Sequence, residues 1–276
     1  MSGVDISAAG DVRSRVRTAL VGLIAIIMAM GASIALASQS EAAGACRFIA
    51  HRGGAWPGLT ENGLGSIKKS YAAGVRQFEV DVRTSASGTP WIMHDPTVQR
   101  TVSNATGYVA DKTDDEMRAM RLRDGEPVPN LTEVLAYAAS HDMAPVLHVK
   151  AMTKSSWASL FKQVRAKKLQ SRVVILGSAS LLSYSKAVEP SLFTVLLDEN
   201  TTISPDRVAD FDGAAVKASV ITQENVDAIH AAGKVYWSFD GEASSDWPRL
   251  GSLGVDVQIA NDVSGYQAYQ AAGCPI

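Results

Sequence analysis

From Arg47 onward the chain alternates short apolar runs with stretches of helical periodicity. Phe48-Ile49-Ala50 leads into a glycine-rich loop, after which Leu64, Ile67 and Tyr71 recur at helical spacing up to Gly74. Phe78–Val82 predicts a strand. Pro90–Met93 predicts another, joined to it through Ser87-Gly88, so the pair reads as a hairpin-like excursion. Further strands are expected at Pro145–Val149, Val173–Leu176, Phe193–Leu197, Ala214–Lys217, Lys234–Phe239 and Val255–Ala260. Between and after them, helices are expected near Leu131–Ser140, Ser155–Lys168, Leu181–Val188, from Pro205, over Thr222–Ala232, Ser244–Leu250 and Val263–Ala271.

With the Trp91 strand set aside, eight strands remain, separated by helices. Strict alternation calls for a parallel sheet, because a crossover helix returns each strand to the same direction. Eight such units predict closure into a single (β/α)8 TIM barrel of the α/β class, with the excursion after strand 2. An open doubly wound sheet is the alternative that topology alone leaves.

The N-terminal stretch is different material. Arg13, Arg15 and Arg17 precede an apolar run from Ala19 to Ala37, which ends Ala35-Leu36-Ala37 and then turns polar. A basic segment, an apolar segment and a small-residue exit predict a signal peptide over residues 1–37, a short linker over 38–45 and a folded domain over 46–276. An uncleaved anchor is the alternative, since the run approaches the roughly 20 residues that span a bilayer. Either reading makes the domain secreted or otherwise extracytoplasmic. Cys46 and Cys274 lie at the two ends of that domain, which a barrel brings together at its bottom face. A disulfide between them is expected in an oxidising compartment, against two unpaired thiols.

Charge narrows the partners. The 276 residues carry a formal net charge of −2 with both signs interspersed, which argues against a nucleic-acid partner. A small-molecule substrate is expected, with membrane contact only through an uncleaved N-terminus or a lipid substrate.

The polar residues able to do chemistry fall at predicted strand ends: His51-Arg52-Gly53-Gly54, His94-Asp95 and His148-Val149-Lys150, with Glu61-Asn62 opening the first helix. The C-terminal ends of barrel strands form the active face. Glu79 and Asp81 stand two apart on one strand, so both project to the same side, into the barrel mouth. Two enclosed carboxylates repel unless a cation lies between them, and hard oxygens suit Ca²⁺ or Mg²⁺; a pair neutralised by Arg or Lys is the alternative. His51 and His94 are the candidate acid–base pair. Arg52 and Lys150 add positive charge for an anionic oxygen, unless they serve only in salt bridges. The Gly53–Thr60 loop either presents backbone N–H groups to a ligand or simply turns, Thr60 or Asn62 can cap the helix that follows, and Trp237 either walls the pocket or fills the core.

The ordered series His-Arg-Gly at His51–Gly53, Glu61-Asn62, Glu79-x-Asp81-Val82 and His94-Asp95-Pro96-x-x-x-Arg100-Thr101 resembles the glycerophosphodiester phosphodiesterase family. Val128–Leu135, Val235–Ser238 and Gly254–Asp256 extend the similarity, so that it runs from about Phe48 to Asp262. The resemblance implies a barrel that hydrolyses glycerophosphodiesters to glycerol 3-phosphate and an alcohol, in which the substrate's own glycerol hydroxyl can attack phosphorus. It implies His51 and His94 as general acid and base, and Arg52 on the phosphate. Glu79 and Asp81 become metal ligands, with Glu61 a ligand or close neighbour. Two positions depart from the pattern: His148 stands where the family has a metal-binding Glu, and Gly63 where it has Thr. His148 can ligate as neutral imidazole, with weaker metal binding, a shift toward a transition metal, or lost activity as the expected consequences. Two further readings are a lipid phosphodiesterase similar to sphingomyelinase D-type enzymes, and a lapsed member that binds a phosphodiester without cleaving it.

Overall fold

The structure is a computed structural model, which describes residues 47–240 and 245–274. The signal-peptide, anchor and linker assignments lie outside the described residues, as does Cys46. Cys274, packed beside Trp247, Tyr266 and Tyr269, is not a free thiol. Among the described residues no helix is long and apolar enough to cross a membrane.

Among the described residues nine strands form one sheet: β1 (Phe48–Ala50), β2 (Gln77–Thr84), β3 (Pro90–Ile92), β4 (Ala144–Ala151), β5 (Val174–Gly177), β6 (Phe193–Asp198), β7 (Gly213–Lys217), β8 (Val235–Phe239) and β9 (Val257–Ala260). All but β3 run parallel, in the order β1-β9-β8-β7-β6-β5-β4-β2, and β1 also pairs with β2 through Ala50 and Phe78. That last pairing closes an eight-stranded ring and excludes the open sheet. Helices α1 (Leu64–Ala72), α3 (Leu131–Ser140), α4 (Lys154–Ala166), α5 (Ala179–Val188), α6 (Pro205–Val208), α7 (Gln223–Ala231), α8 (Asp246–Ser252) and α9 (Val263–Ala271) follow the eight barrel strands, with α3 after the excursion.

Alternation along the strands makes two apolar layers. Ile49, Val146, Leu176, Val195, Ala215, Trp237, Val257 and Ile259 fill the barrel interior. Residues of opposite parity, such as Val80, Val82, Leu147, Val149, Ile175 and Leu196, pack outward against Leu135, Leu160, Phe161 and Leu182 of the helices. The interior layer is a packed floor, and chemistry is left to the strand ends above it.

The excursion is larger than a hairpin. Because β1 touches β2 at a single register pair, the outer half of β2 keeps a free edge, and β3 occupies it antiparallel (Val82↔Ile92, Thr84↔Pro90). Between β3 and α3 the chain builds its own core from Trp91, Met93, Val98, Val102, Val109, Met117, Met120, Leu122 and Val128. This segment contains the unexpected helix α2 (Asp114–Ala119), closed by a Thr113–Glu116 capping box. With Met117 its one buried residue, α2 has no apolar period to read. Asp114 anchors it, accepting from Ser85 Oγ (2.7 Å) and Trp91 Nε1 (3.1 Å) at the β2–β3 turn.

Candidate active site and metal centre

β1 ends in a tight 3-10 turn, His51–Gly53, in which Arg52 adopts a left-handed backbone (φ 50°). A non-glycine residue held there is strained by about 1–3 kcal/mol, a cost that clusters at functional sites. The turn has two consequences. The Arg52 backbone N–H donates to Glu79 Oε2 at 2.9 Å, and the His51 ring is set over the barrel mouth. Gly54 follows with φ 98°; a Cβ there would lie 2.6 Å from Ser70 Oγ and 2.8 Å from Val263 Cγ2, so only glycine lets the loop leave the turn.

Glu79 and Asp81 both point inward, as their spacing predicts, and both are buried. In parallel register Asp81 lies opposite His148 on β4, so imidazole and carboxylate stand side by side. One oxygen of each acid is fastened: Glu79 Oε2 by the Arg52 N–H, and Asp81 Oδ2 by Asn62 Nδ2 at 2.9 Å. The other oxygens, Glu79 Oε1 and Asp81 Oδ1, are buried without a hydrogen-bond partner among the described residues. They lie 3.7 and 3.2 Å from His148 Nδ1. Single ligand atoms of Glu79, Asp81 and His148 all fall within 4.8 Å of one another, an arrangement that suits a metal ion. Orphaned buried carboxylate oxygens are costly, and a cation among them removes that cost.

The electrostatics agree. Burial, reinforced by the Asp81 charge, pushes the Glu79 carboxyl well above its ordinary range. Burial also raises Asp81, but His148, Lys150 and His94 outweigh it and hold Asp81 below the usual carboxylate range. The asymmetry follows from placement, since Lys150 Nζ and His148 Nδ1 both approach Asp81 Oδ1. Burial lowers His148, leaving a neutral imidazole able to ligate. Burial and the Arg52 charge also lower His51, to about 4. Its Nδ1 lies 2.9 Å from Asn261 Oδ1; an amide oxygen only accepts, so Nδ1 carries the proton and Nε2 keeps its lone pair.

The predicted residues His51, Arg52, Glu79, Asp81, His94, His148 and Lys150 line one cavity of about 290 Å³, together with Glu199, Asn200, Lys217, Phe239 and Asp240. Two expected participants are elsewhere. Glu61 is not among the three residues whose ligand atoms cluster, and its carboxylate accepts from Arg52 Nη1 (3.0 Å) and Arg100 Nη2 (2.6 Å). Trp237 lies in the interior floor, and Phe239, two residues on, reaches the pocket instead. Asn62 does not cap α1, whose N-cap is Gly63. It orients Asp81, accepting from the Asp81 N–H at 3.0 Å while donating to its side chain. Asn261 and Lys217 escaped the sequence reading, although both sit just at or beyond a strand's C-terminal end, the position that flags the others.

His94 Nδ1 lies 2.7 Å from Asp95 Oδ1. Arg100 grips Asp95 (Nε to Oδ2, 2.5 Å) and Glu61, and Glu61 holds Arg52. A continuous ion-pair chain thus runs along the rim from His94 to Arg52.

Residues 51–264 match the model of the glycerophosphoryl diester phosphodiesterase family. The chain is 26% identical over 231 residues to a glycerophosphodiester phosphodiesterase of Caldanaerobacter subterraneus, covering 78% of this chain and 93% of that one. It is 35% identical over 111 residues to the glycerophosphodiester phosphodiesterase 1 of Bos taurus, covering 37% of this chain; the match spans about a third of that relative, 33% of its length. Among solved structures, an Oleispira antarctica phosphodiesterase in complex with the product sn-glycerol-3-phosphate superposes with a TM-score of 0.75 at 21% identity, covering 82% of this chain and 96% of that one. At that identity the likeness speaks for the fold.

Proposed function

Because the chain belongs to the glycerophosphoryl diester phosphodiesterase family, we propose that it hydrolyses glycerophosphodiesters to glycerol 3-phosphate and an alcohol. The observation that carries this reading is the convergence of two imidazoles, two cations and a three-ligand metal centre on one cavity. Glu79 Oε1, Asp81 Oδ1 and His148 Nδ1 are the atoms to hold a divalent ion, which when bound supplies Lewis-acid stabilisation of phosphoryl oxygens. Two carboxylates alone suggest Ca²⁺ or Mg²⁺.

The residues divide the remaining work. Arg52 Nε, buried without a hydrogen-bond partner, and Lys150 Nζ place positive charge for the diester's non-bridging oxygens. His51, neutral and with Nε2 unprotonated, takes the proton of the attacking hydroxyl, either the substrate's own glycerol hydroxyl or water. His94, its Nδ1 fixed on Asp95, donates to the departing alkoxide from Nε2 in the form that carries a proton on both ring nitrogens. Asn261 fixes His51 in the tautomer of a base, and the Asp95 carboxylate orients His94 and stabilises the doubly protonated ring that acts as acid. Seven of the fifteen described residues that line the pocket are charged, Glu199, Lys217 and Asp240 among them, which favours a small polar diester over a lipid tail.

The basic, apolar and small-residue N-terminal series supports action outside the cytoplasm. The test is glycerol 3-phosphate release from glycerophosphocholine and glycerophosphoglycerol, with and without chelator, beside sphingomyelin vesicles. Release that needs a divalent ion supports the proposal. Turnover confined to vesicles selects the lipid phosphodiesterase, and ligand binding without turnover under any ion selects the lapsed binder.

A further inference from the structure

The third ligand bears on which ion the centre holds. We infer that Glu79, Asp81 and His148 form a site selective for a divalent transition cation of the Zn²⁺, Fe²⁺ or Co²⁺ kind over Ca²⁺ and Mg²⁺; this rests on the reading above that these three residues hold the ion.

The reason lies in how the carboxylates are pinned. Glu79 Oε2 is committed to the Arg52 N–H and Asp81 Oδ2 to Asn62 Nδ2, both at 2.9 Å. Each acid therefore presents one oxygen, and a bidentate grip would cost a hydrogen bond at a buried acid. Ca²⁺ takes about 6–8 oxygens, with carboxylates often bidentate, whereas this site offers two protein oxygens and a nitrogen. Mg²⁺ also prefers oxygen and binds through carboxylate and retained water, with little use for imidazole.

Charge points the same way. The two carboxylates do no more than balance a divalent ion. Arg52 Nε lies 3.7 Å from Asp81 Oδ2 and Lys150 Nζ lies 3.6 Å from Asp81 Oδ1, and both weaken the field that a hard cation depends on. An ion that bonds well to nitrogen loses less. Catalytic zinc and non-haem iron sites mix imidazole nitrogen with carboxylate oxygen and keep open positions, and this cluster does so with one nitrogen and two oxygens. The strand register places His148 opposite Asp81, so the nitrogen is a fixed part of the cluster.

Most sites bind late transition ions more tightly than Ca²⁺, so the discriminating quantity is how selectivity responds when nitrogen is replaced by oxygen. Chelator-treated full chain is titrated calorimetrically with Zn²⁺, Co²⁺, Mg²⁺ and Ca²⁺, as wild type and as His148→Glu. The expected result is that the wild type favours Zn²⁺ and Co²⁺, and that the variant tightens Ca²⁺ and Mg²⁺ by about tenfold or more while the Zn²⁺ advantage shrinks. An independent measurement needs no variant: NMR of the Co²⁺-loaded wild type should show a paramagnetically shifted, solvent-exchangeable N–H from a bound imidazole. Unchanged selectivity in a folded variant, or no such resonance in the wild type, overturns the inference. Expected selectivity without diester cleavage under any ion upholds it while removing the phosphodiesterase reading. Cleavage with Ca²⁺ bound as tightly as Zn²⁺ overturns it and leaves that reading standing.

Discussion

Two clusters of acids and histidines flank the same cavity, and they differ in how their charges are met. On the rim, His94, Asp95, Arg100, Glu61 and Arg52 form a half-exposed chain in which each carboxylate has a guanidinium or imidazole partner. On the floor, Glu79 and Asp81 are buried, and each keeps one oxygen without a hydrogen-bond partner among the described residues. Similar residue types thus do two jobs. The rim is complete and acts by holding His94 and Arg52 in place. The buried pair, with His148 beside it, has the donor set of a cation site.

The largest effect should come from the imidazoles that the two clusters position. His51→Ala and His94→Ala should each lower kcat for glycerophosphocholine by about 10²–10⁴-fold with unchanged far-UV circular dichroism. Near wild-type rates in both would remove the acid–base assignment.

The next effect separates floor from rim. Glu79→Gln should abolish the rise in Tm that a divalent ion produces, while the chelated protein stays as stable as wild type or becomes more so, because Gln carries no charge to bury. Glu61→Gln should leave the ion-induced rise intact. An equal loss in both variants would place Glu61 in the metal centre after all.

Protonation offers a smaller, signed test. His51 titrates near 4 in the folded chain, below the ordinary 6.5. Between these values the unfolded chain binds a proton that the folded chain refuses, so this residue makes stability fall as pH drops from about 6.5 to 4, by at most about 3 kcal/mol. Glu79, raised by burial, contributes a slope of opposite sign. The difference between wild type and His51→Gln therefore isolates the histidine: in chelator, denaturant unfolding of the variant should lose less stability on acidification. The smallest effect belongs to the exposed rim. Arg100→Ala should cost about 1 kcal/mol or less in stability, and its influence should fall on kcat through a loosened Asp95–His94 pair.

The same contrast governs what the sequence could disclose. Glu79 and Asp81 were legible because a strand of period two leaves i and i+2 one choice of face once Val80 and Val82 claim the other. The barrel was legible because its strands are short apolar runs between helices. Where a residue's role depends on distant partners, local pattern gave no hint. Glu61 stands beside Asn62 in one motif, yet Glu61 pairs with Arg100, brought across by the excursion, while Asn62 turns onto Asp81. The excursion's core is built from side chains at irregular spacing, so it reads as loop. Trp237 and Phe239 share a face of β8 and differ only in depth, which a one-dimensional pattern does not record.

Anomalous diffraction from crystals of the zinc-loaded protein would locate the ion by itself, without reference to activity. One strong peak is expected within bonding distance of Glu79 Oε1, Asp81 Oδ1 and His148 Nδ1, on the cavity side of the barrel floor. A peak at Glu61 and Asp95 instead, or none between the two floor carboxylates, would contradict it.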